Sequence, residues 1–452
     1  MPQATPAPVH SPPTGHCDVL IVGGGPAGAT IATLLARQGR HVVMLEKAHH
    51  PRFHVGESLL PANVPLLDRL GVREQVAAIG MAKWGVDFCS PQHAHCSALE
   101  FGEAWDKSMP MAWQVRRAEF DNILFCNAQA SGAVTHEGCS VRRVAFDAEG
   151  ATVDAVQGDG AAQRWRARFV VDASGRDTLL AQQNGWKRKS REHDSAALFG
   201  HFHGARRLPG RMAGNISIFW FAHGWFWFIP LADGSTSVGA VCWPHYLKSR
   251  DKPLPAFFAD TIAMVPGLQE RLQGATLIDD RVHATGNYAY SADRCAGERF
   301  LMLGDAYAFI DPVFSSGVYL ATVSAFEGAE LVAAALDRPA EAAAARRRFE
   351  RVMRRGPREF SWFIHRMTNP ALRDLFMHPK NPLRMQEAVL SLLAGDIFGK
   401  TPIWAALCMF KAVYYAGSLA ALPRTWRAWL ERRRNIRDVG ALQGENVVVP
   451  GS

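Results

Sequence analysis

Val19-Leu20-Ile21-Val22 is an unbroken apolar run, the pattern of a strand buried on both faces. It stops at Gly23-Gly24-Gly25-Pro26-Ala27-Gly28. Apolar residues then recur at helical spacing to Gln38, and Gly39 stands where a C-cap belongs. His41 to Leu45 is a second short apolar run, so residues 18–46 predict strand, helix, strand. Asp172-Ala173-Ser174-Gly175 closes a further strand. Phe300-Leu301-Met302-Leu303 predicts another, and an alanine-rich helix runs from Gly317 to near Leu336. The stretch Gly224-Trp225-Phe226-Trp227-Phe228-Ile229-Pro230 is of a different kind: Trp225 and Trp227 share one face of a strand, which Pro230 ends. For such a pair on its own, filling a sheet core is the ordinary use.

Residues 340–437 are helical in pattern and basic. Thr401 to Pro423 is the most hydrophobic run, interrupted by Lys411 and two tyrosines, and is marginal as a membrane span. With the following TWRAWLERRRNIR it suits either an interfacial anchor or helices packed over the rest of the chain, and the packed arrangement is the preferred reading.

At 452 residues the chain can bury one large core or two to three cooperating domains. Residues 1–16 read as a disordered leader and 438–452 as a flexible tail. The eight cysteines include no C-x-x-C pair, which argues against a zinc site or a disulfide scaffold and suits a reducing cytoplasm. Net charge is +8, with arginines gathered at 346–355 and 424–434. Solvated helix faces account for such clusters, or attraction to an acidic carrier protein or membrane phosphates. No nucleic-acid-binding motif accompanies them.

The glycine run carries the first chemistry. In G-x-G-x-x-G, Gly23 permits a tight turn, Gly25 lets a pyrophosphate approach the backbone, and Gly28 lets helix pack on strand. Glu46 ends the second strand, placed to grip a ribose diol. These residues imply a dinucleotide without separating FAD from NAD.

Four further segments carry a resemblance: Gly56-Glu57-Ser58-Leu59-Leu60-Pro61, Met81-Ala82-Lys83-Trp84-Gly85-Val86-Asp87-Phe88, the R-x-x-F-D run at Arg117, and Gly304-Asp305-Ala306 followed by Asp311-Pro312-Val313-Phe314-Ser315-Ser316-Gly317-Val318. With the W-x-W-x-I-P strand they resemble the flavin-dependent halogenases. That resemblance implies an α/β (α+β) fold of two domains like hydroxybenzoate hydroxylase, with a helical C-terminal region shaping access to the active site. The FAD-binding part would comprise 17–190 and 280–340, and a β-sheet substrate domain 191–279 with part of 84–115. It implies FAD held by Gly23, Gly25, Pro26, Ala27, Gly28, Glu46, Lys47, Ser58, Arg117, Gly304, Asp305, Gly317 and Val318.

The implied chemistry uses FADH₂, O₂ and chloride or bromide. A flavin hydroperoxide is attacked by halide, and the hypohalous acid passes to Lys83, which aims electrophilic halogen at an arene. Trp225, Trp227, Ile229 and Pro230 would partition flavin from substrate. Ser315 would stand beside the lysine, and the amides of Ser316 and Gly317 would bind halide. Burial among apolar neighbours would lower the lysine's pKa. With no second glycine fingerprint for a nicotinamide, FADH₂ would come from a separate flavin reductase.

Tryptophan halogenases carry a glutamate where this chain has Phe314, so the resemblance is to enzymes acting on phenols and pyrroles, many of them on carrier-bound substrates. An electron-rich ring stabilises its own cationic adduct and needs a dedicated carboxylate less. Two rivals share the FAD motifs: an aromatic hydroxylase or geranylgeranyl-reductase-like oxidoreductase, and a non-catalytic flavin-binding protein associated with membranes.

Overall fold

A computed structural model describes residues 15–441 except 191, 287 and 288, with side chains as far as residue 435. It is a mixed α/β structure, 45% helix and 24% strand. The first sheet runs in the order Val134–His136, Val42–Leu45, Gly15–Val22, Ala162–Asp172, Ala151–Gln157, Cys139–Phe146, and Phe300–Met302 pairs with the end of Ala162–Asp172. Gly15–Val22 lies parallel to both neighbours, and Val19, Leu20 and Ile21 are fully buried, as the unbroken apolar run requires. Parallel pairing gathers the carboxyl ends at Val22, Leu45, Asp172 and Met302 on one edge. Loops leaving that edge form the ligand crevice of such sheets.

The second sheet runs Thr276–Leu277, Ala196–His203, Thr236–Cys242, Gly224–Pro230, Ile216–Phe221, Gly85–Cys89, Ser97–Glu100, with His283–Thr285 also on Ala196–His203. Alternation along Gly224–Pro230 divides two cores. Trp225, Trp227 and Ile229 join Phe88 and Trp220 on one face, while Phe226 and Phe228 join Leu198 and Phe258 on the other. Cys89 and Cys96 are disulfide-bonded across the hairpin between Gly85–Cys89 and Ser97–Glu100, a single bond where the cysteine spacing predicts none; the other six thiols are free.

The C-terminal helices Pro339–Ile364, Pro370–Met377, Met385–Ala394 and Trp404–Ala420 cover the tryptophan face of that sheet. Phe360, Phe363, Leu372, Leu390 and Leu407 are buried in the same core as Trp225, each contributing roughly 1.5–3 kcal/mol, so the region is packed against the sheet. The apolar run at 401–423 is no straight span: Trp404–Ala420 meets the following helix at 101°. Ser316–Asp337 is long and apolar enough to cross a membrane, but it is the core helix between the first sheet and Pro339–Ile364, mostly buried. The last helix, Leu422–Ala441, leaves Leu422, Trp426, Trp429 and Leu430 exposed beside Arg424, Arg427 and Arg433.

Two expected boundaries shift. Gly15–Val22 begins within the predicted leader, because its first residues pair with Trp165 and Arg166. The last helix runs past Asp438 to Ala441. The rest of the leader and tail lies outside the described residues.

Candidate active site

The glycine turn sits at the carboxyl edge of the first sheet. Gly23 has φ +97°, and a Cβ there would lie 2.5 Å from the Ala173 carbonyl oxygen. A Cβ on Gly28 would come within 1.9 Å of the Gly23 carbonyl oxygen, so the helix Pro26–Arg37 meets its strand only through glycine. Pro26 occupies the first turn, where its missing N–H costs nothing. Gly25 is the open position; its nearest outside neighbour would be a guanidinium nitrogen of Arg52 at 3.3 Å.

Glu46 is buried at the end of Val42–Leu45 and accepts from the backbone N–H of Gly24 at 2.6 Å and of Ala48 at 2.9 Å. Arg52 lies between Glu46, 3.9 Å away, and Asp121, to which it donates at 3.1 Å. Arg117 lies at the head of the helix Arg117–Ala130. Its guanidinium is engaged by Asp121 at 2.8 and 3.0 Å and by the Val55 carbonyl at 3.0 Å. Arg52 is therefore the cation closest to the glycine turn, and Arg117 anchors the carboxylate that positions it. Lys47 points elsewhere, in an exposed ion pair with Asp177 at 2.6 Å.

Gly304 has φ +49° and its Cβ position lies 3.0 Å from that of Ala321, which brings Asp305 to the same edge. Burial pushes the Asp305 carboxyl up to about 6, against the pull of Arg176 and Arg117. The chain then turns through Ser315, at φ 55°, into the helix Ser316–Asp337. Its first N–H groups have no partner within the helix. Val318 is buried in the core of the first sheet, and a Cβ on Gly317 would meet nothing closer than Phe309 at 4.0 Å.

Lys83 ends the strand Met81–Lys83, which pairs with Ala112–Gln114. It is 2% exposed. Its Nζ donates to Ser58 Oγ at 2.9 Å and to the Leu59 carbonyl at 3.0 Å, and lies 5.2 Å from the Phe101 ring centre. Among the described residues it has no carboxylate partner, and burial alone pushes its pKa down to about 7. The hydroxyl that reaches this amine belongs to Ser58, assigned by the sequence to cofactor binding, whereas Ser315 makes no hydrogen bond to it among the described residues. The reason is local: the Gly56–Pro61 segment runs beside Ala112–Gln114, the strand that also pairs with Met81–Lys83, while the backbone at Ser315 is committed to starting a helix.

Trp225 and Trp227 are both buried, their ring centres 6.1 Å apart. Trp227 donates to Ser237 Oγ at 3.1 Å and lies flat on Gly239, where a Cβ would come within 2.2 Å of the indole. The aromatic row continues through Phe199, 5.9 Å from Trp227, to His283 at 5.1 Å and Phe53 at 4.7 Å. Phe53 adjoins Arg52, so the row reaches from the glycine turn into the second sheet. Ile229 and Pro230 close its strand, both buried. Phe314 packs between Phe360 and Phe363, with centres 6.3 and 6.2 Å away, so the C-terminal helices fill the space beside it.

No sequence signal marks Arg52, the buried pair in which Glu57 accepts from His201 at 2.9 Å, or His193 on Asp311 at 2.8 Å. Each depends on contacts between distant segments, and no local spacing marks them.

Residues 16–346 match the FAD binding domain family. Tryptophan 2-halogenase of Chondromyces crocatus is 36% identical over 332 residues, covering 70% of this chain and 60% of that protein. The 1H-pyrrole-2-carbonyl-(peptidyl-carrier protein) chlorinase of Pseudomonas fluorescens is 28% identical over 404 residues, covering 84% of this chain and 89% of that protein. The chain spans between 60% and 68% of the length of the curated tryptophan and fungal halogenases it matches. Among solved structures, the myxobacterial chondrochloren halogenase CndH superposes with a TM-score of 0.75 at 32% identity, covering 86% of this chain and 92% of that one. A shared FAD binding domain, a glycine turn with no room for a Cβ at Gly23 or Gly28, and this extent of identity place the chain in the family of flavin-dependent halogenases.

Proposed function

We propose that the protein halogenates an electron-rich aromatic ring, a phenol or a pyrrole, using reduced FAD, O₂ and chloride or bromide. The observation that carries this reading is Lys83: a buried lysine without a counter-ion among the described residues, whose pKa of about 7 leaves a neutral amine available. The cradle fits the cofactor. Gly23, Gly25, Gly28 and Arg52 would hold the pyrophosphate, Glu46 the adenosine ribose and Asp305 the ribityl chain, while the amides of Ser316 and Gly317 would face the halide. When bound, reduced FAD with O₂ and halide supplies hypohalous acid. The Lys83 amine takes halogen from it, forming N–X and releasing water. The arene then attacks the halogen, restores the amine and loses its ring proton. Trp225 and Trp227 screen the arene from the flavin.

The test is product formation with FADH₂ supplied by an external flavin reductase. Halogenated arene that depends on halide and on Lys83 supports the reading. Hydroxylated product indifferent to Lys83→Ala supports an aromatic hydroxylase, and bound FAD with no product a non-catalytic role. The pH profile adds a second readout: activity through the amine rises with pH through about 7, and activity through an ammonium falls there.

Trp227→Ala removes a buried indole and its hydrogen bond to Ser237, so a loss of roughly 3–5 kcal/mol is expected in urea unfolding. If Trp227 is also a partition, the variant that still folds yields hydroxylated or over-oxidised arene absent from wild type. Destabilisation with unchanged product ratio would leave it a core residue only.

The related pyrrole chlorinase is named for a carrier-bound substrate. The exposed face of Trp426 and Trp429, rimmed by Arg424, Arg427 and Arg433, has the charge to receive an acidic carrier protein.

A further inference from the structure

The helix Trp404–Ala420 is apolar on two opposite sides. Leu407, Phe410 and Tyr414 are buried in the same core as Trp225. On the other side Ala405, Met409, Ala412, Ala416 and Leu419 recur at i, i+4, i+7, i+11 and i+14, and all are exposed. The helix carries one charge, Lys411, which turns inward, 3.9 Å from Glu359 and 5.3 Å from the Trp362 ring centre. A helix without a polar face belongs in a core or against lipid, and half of this one faces outward.

The apolar surface continues past the 101° elbow into the last helix, with Leu419 and Leu422 on either side of the bend. Leu419 is 72% exposed and Leu422 52%, and Leu422, Trp426, Trp429 and Leu430 recur at i, i+4, i+7 and i+8 on one stripe. Of the twelve large apolar side chains exposed among the described residues, seven lie on these two helices, so they form a patch and not the usual scatter. The charge beside the stripe is nearly all of one sign. Arg424, Arg427 and Arg433 are exposed, and Glu431 is the one carboxylate from 422 to 435. Arg433 lies 4.3 Å over the Trp429 ring, its stem following the apolar surface while its head reaches outward.

An acidic carrier protein meets the arginines but leaves the uncharged stripe of Trp404–Ala420 in water. A second copy of the chain brings the same arginines, and the same net charge of +8, to the contact. An anionic bilayer sets acyl chains and phosphates side by side, the pairing that the elbow presents. We propose that the elbow of Trp404–Ala420 and Leu422–Ala441 beds in the surface of an anionic bilayer. Leu419 and Leu422 enter among the acyl chains, Trp426 and Trp429 sit at headgroup level, and Arg424, Arg427 and Arg433 meet lipid phosphates. Because Leu407, Phe410 and Tyr414 hold Trp404–Ala420 to the core, that helix lies along the bilayer and does not cross it. Bilayer and carrier compete for the same arginines.

The full chain is mixed with vesicles of phosphatidylcholine, or of phosphatidylcholine with phosphatidylglycerol, and bound protein is recovered by flotation. Wild type is expected on the anionic vesicles, held at least roughly tenfold more tightly than on the neutral ones, and less tightly as salt rises. Leu419→Glu combined with Leu422→Glu should weaken binding by roughly tenfold or more. Both side chains are exposed, so urea unfolding and FAD titration should stay as in wild type. Changing Arg424, Arg427 and Arg433 to Gln should remove the preference for anionic vesicles. No flotation of wild type, equal affinity for neutral vesicles, or flotation indifferent to the two glutamates would overturn the proposal. A dimer, or a complex with an acidic carrier protein, that those glutamates break while wild type fails to float would give the face to that occupant instead. Vesicle binding needs no FAD, halide or Lys83, so halogenation without flotation sinks this assignment alone, and flotation without halogenation leaves it standing.

Discussion

Lys83→Ala is expected to lower halogenated product by about three orders of magnitude or more while FAD titration and the folded structure are unchanged. The amine is held by Ser58 Oγ and the Leu59 carbonyl, and the Phe101 ring flanks it. Removing it leaves the flavin cradle untouched, since none of Gly23, Glu46, Arg52 or Asp305 contacts it through a hydrogen bond.

The companion variant Lys83→Met should be more stable than wild type. The folded-state pKa of Lys83 is depressed to about 7 from 10.5, so between those values the unfolded chain binds a proton that the folded chain does not. Wild-type stability therefore rises with pH across that window by about 1.4 kcal/mol per pH unit from this residue, and is lowest below about 7, where the buried amine must be charged. Lys83→Met removes the dependence, so its advantage in urea unfolding is larger at pH 6 than at pH 9. Lost activity together with gained stability separates a functional lysine from a structural one. A destabilised Lys83→Met would show that the amine serves the fold.

Gly28→Ala should all but abolish FAD binding. Its Cβ would fall 1.9 Å from the Gly23 carbonyl oxygen, and both partners are backbone, so no side chain can turn aside. The helix Pro26–Arg37 must move away from its strand, carrying the amides that would face the pyrophosphate with it. We expect at least ~100-fold weaker FAD binding and a stability loss of about 3 kcal/mol, read by flavin fluorescence titration and urea unfolding. Gly39→Ala is the control. It has φ +78° with nothing within 4 Å, so it carries only left-handed strain of about 1 kcal/mol and should leave FAD affinity unchanged. Equal FAD affinity in Gly28→Ala would refute the cradle.

Much of this site was legible in the chain because its signals are short-range. A glycine that must sit under a carbonyl, an acid at a strand end and a strand of alternating indoles are each written within a few residues. The dinucleotide cradle and the two faces of Gly224–Pro230 followed from those patterns, and FAD as its occupant from resemblance. Lys83 stood out only by resemblance, since nothing in its neighbours' spacing distinguishes it from a surface lysine. The assignments that shifted involve polar side chains with a choice of partner. Arg117 turns to Asp121 and leaves the glycine turn to Arg52, Lys47 turns outward to Asp177, and Ser58 turns to Lys83.

The sequence by itself determined the β-α-β platform, the tight turn at Gly23, the helix end at Gly39 and the tryptophan strand, because backbone sterics and side-chain alternation act locally. Only the tertiary structure decided that Lys83 is buried without a counter-ion among the described residues, that the C-terminal helices seal the tryptophan face, and that His193 reaches Asp311, 118 positions away. Desolvation and hydrogen-bond partnership depend on which segments meet, and that is settled by packing of the whole chain.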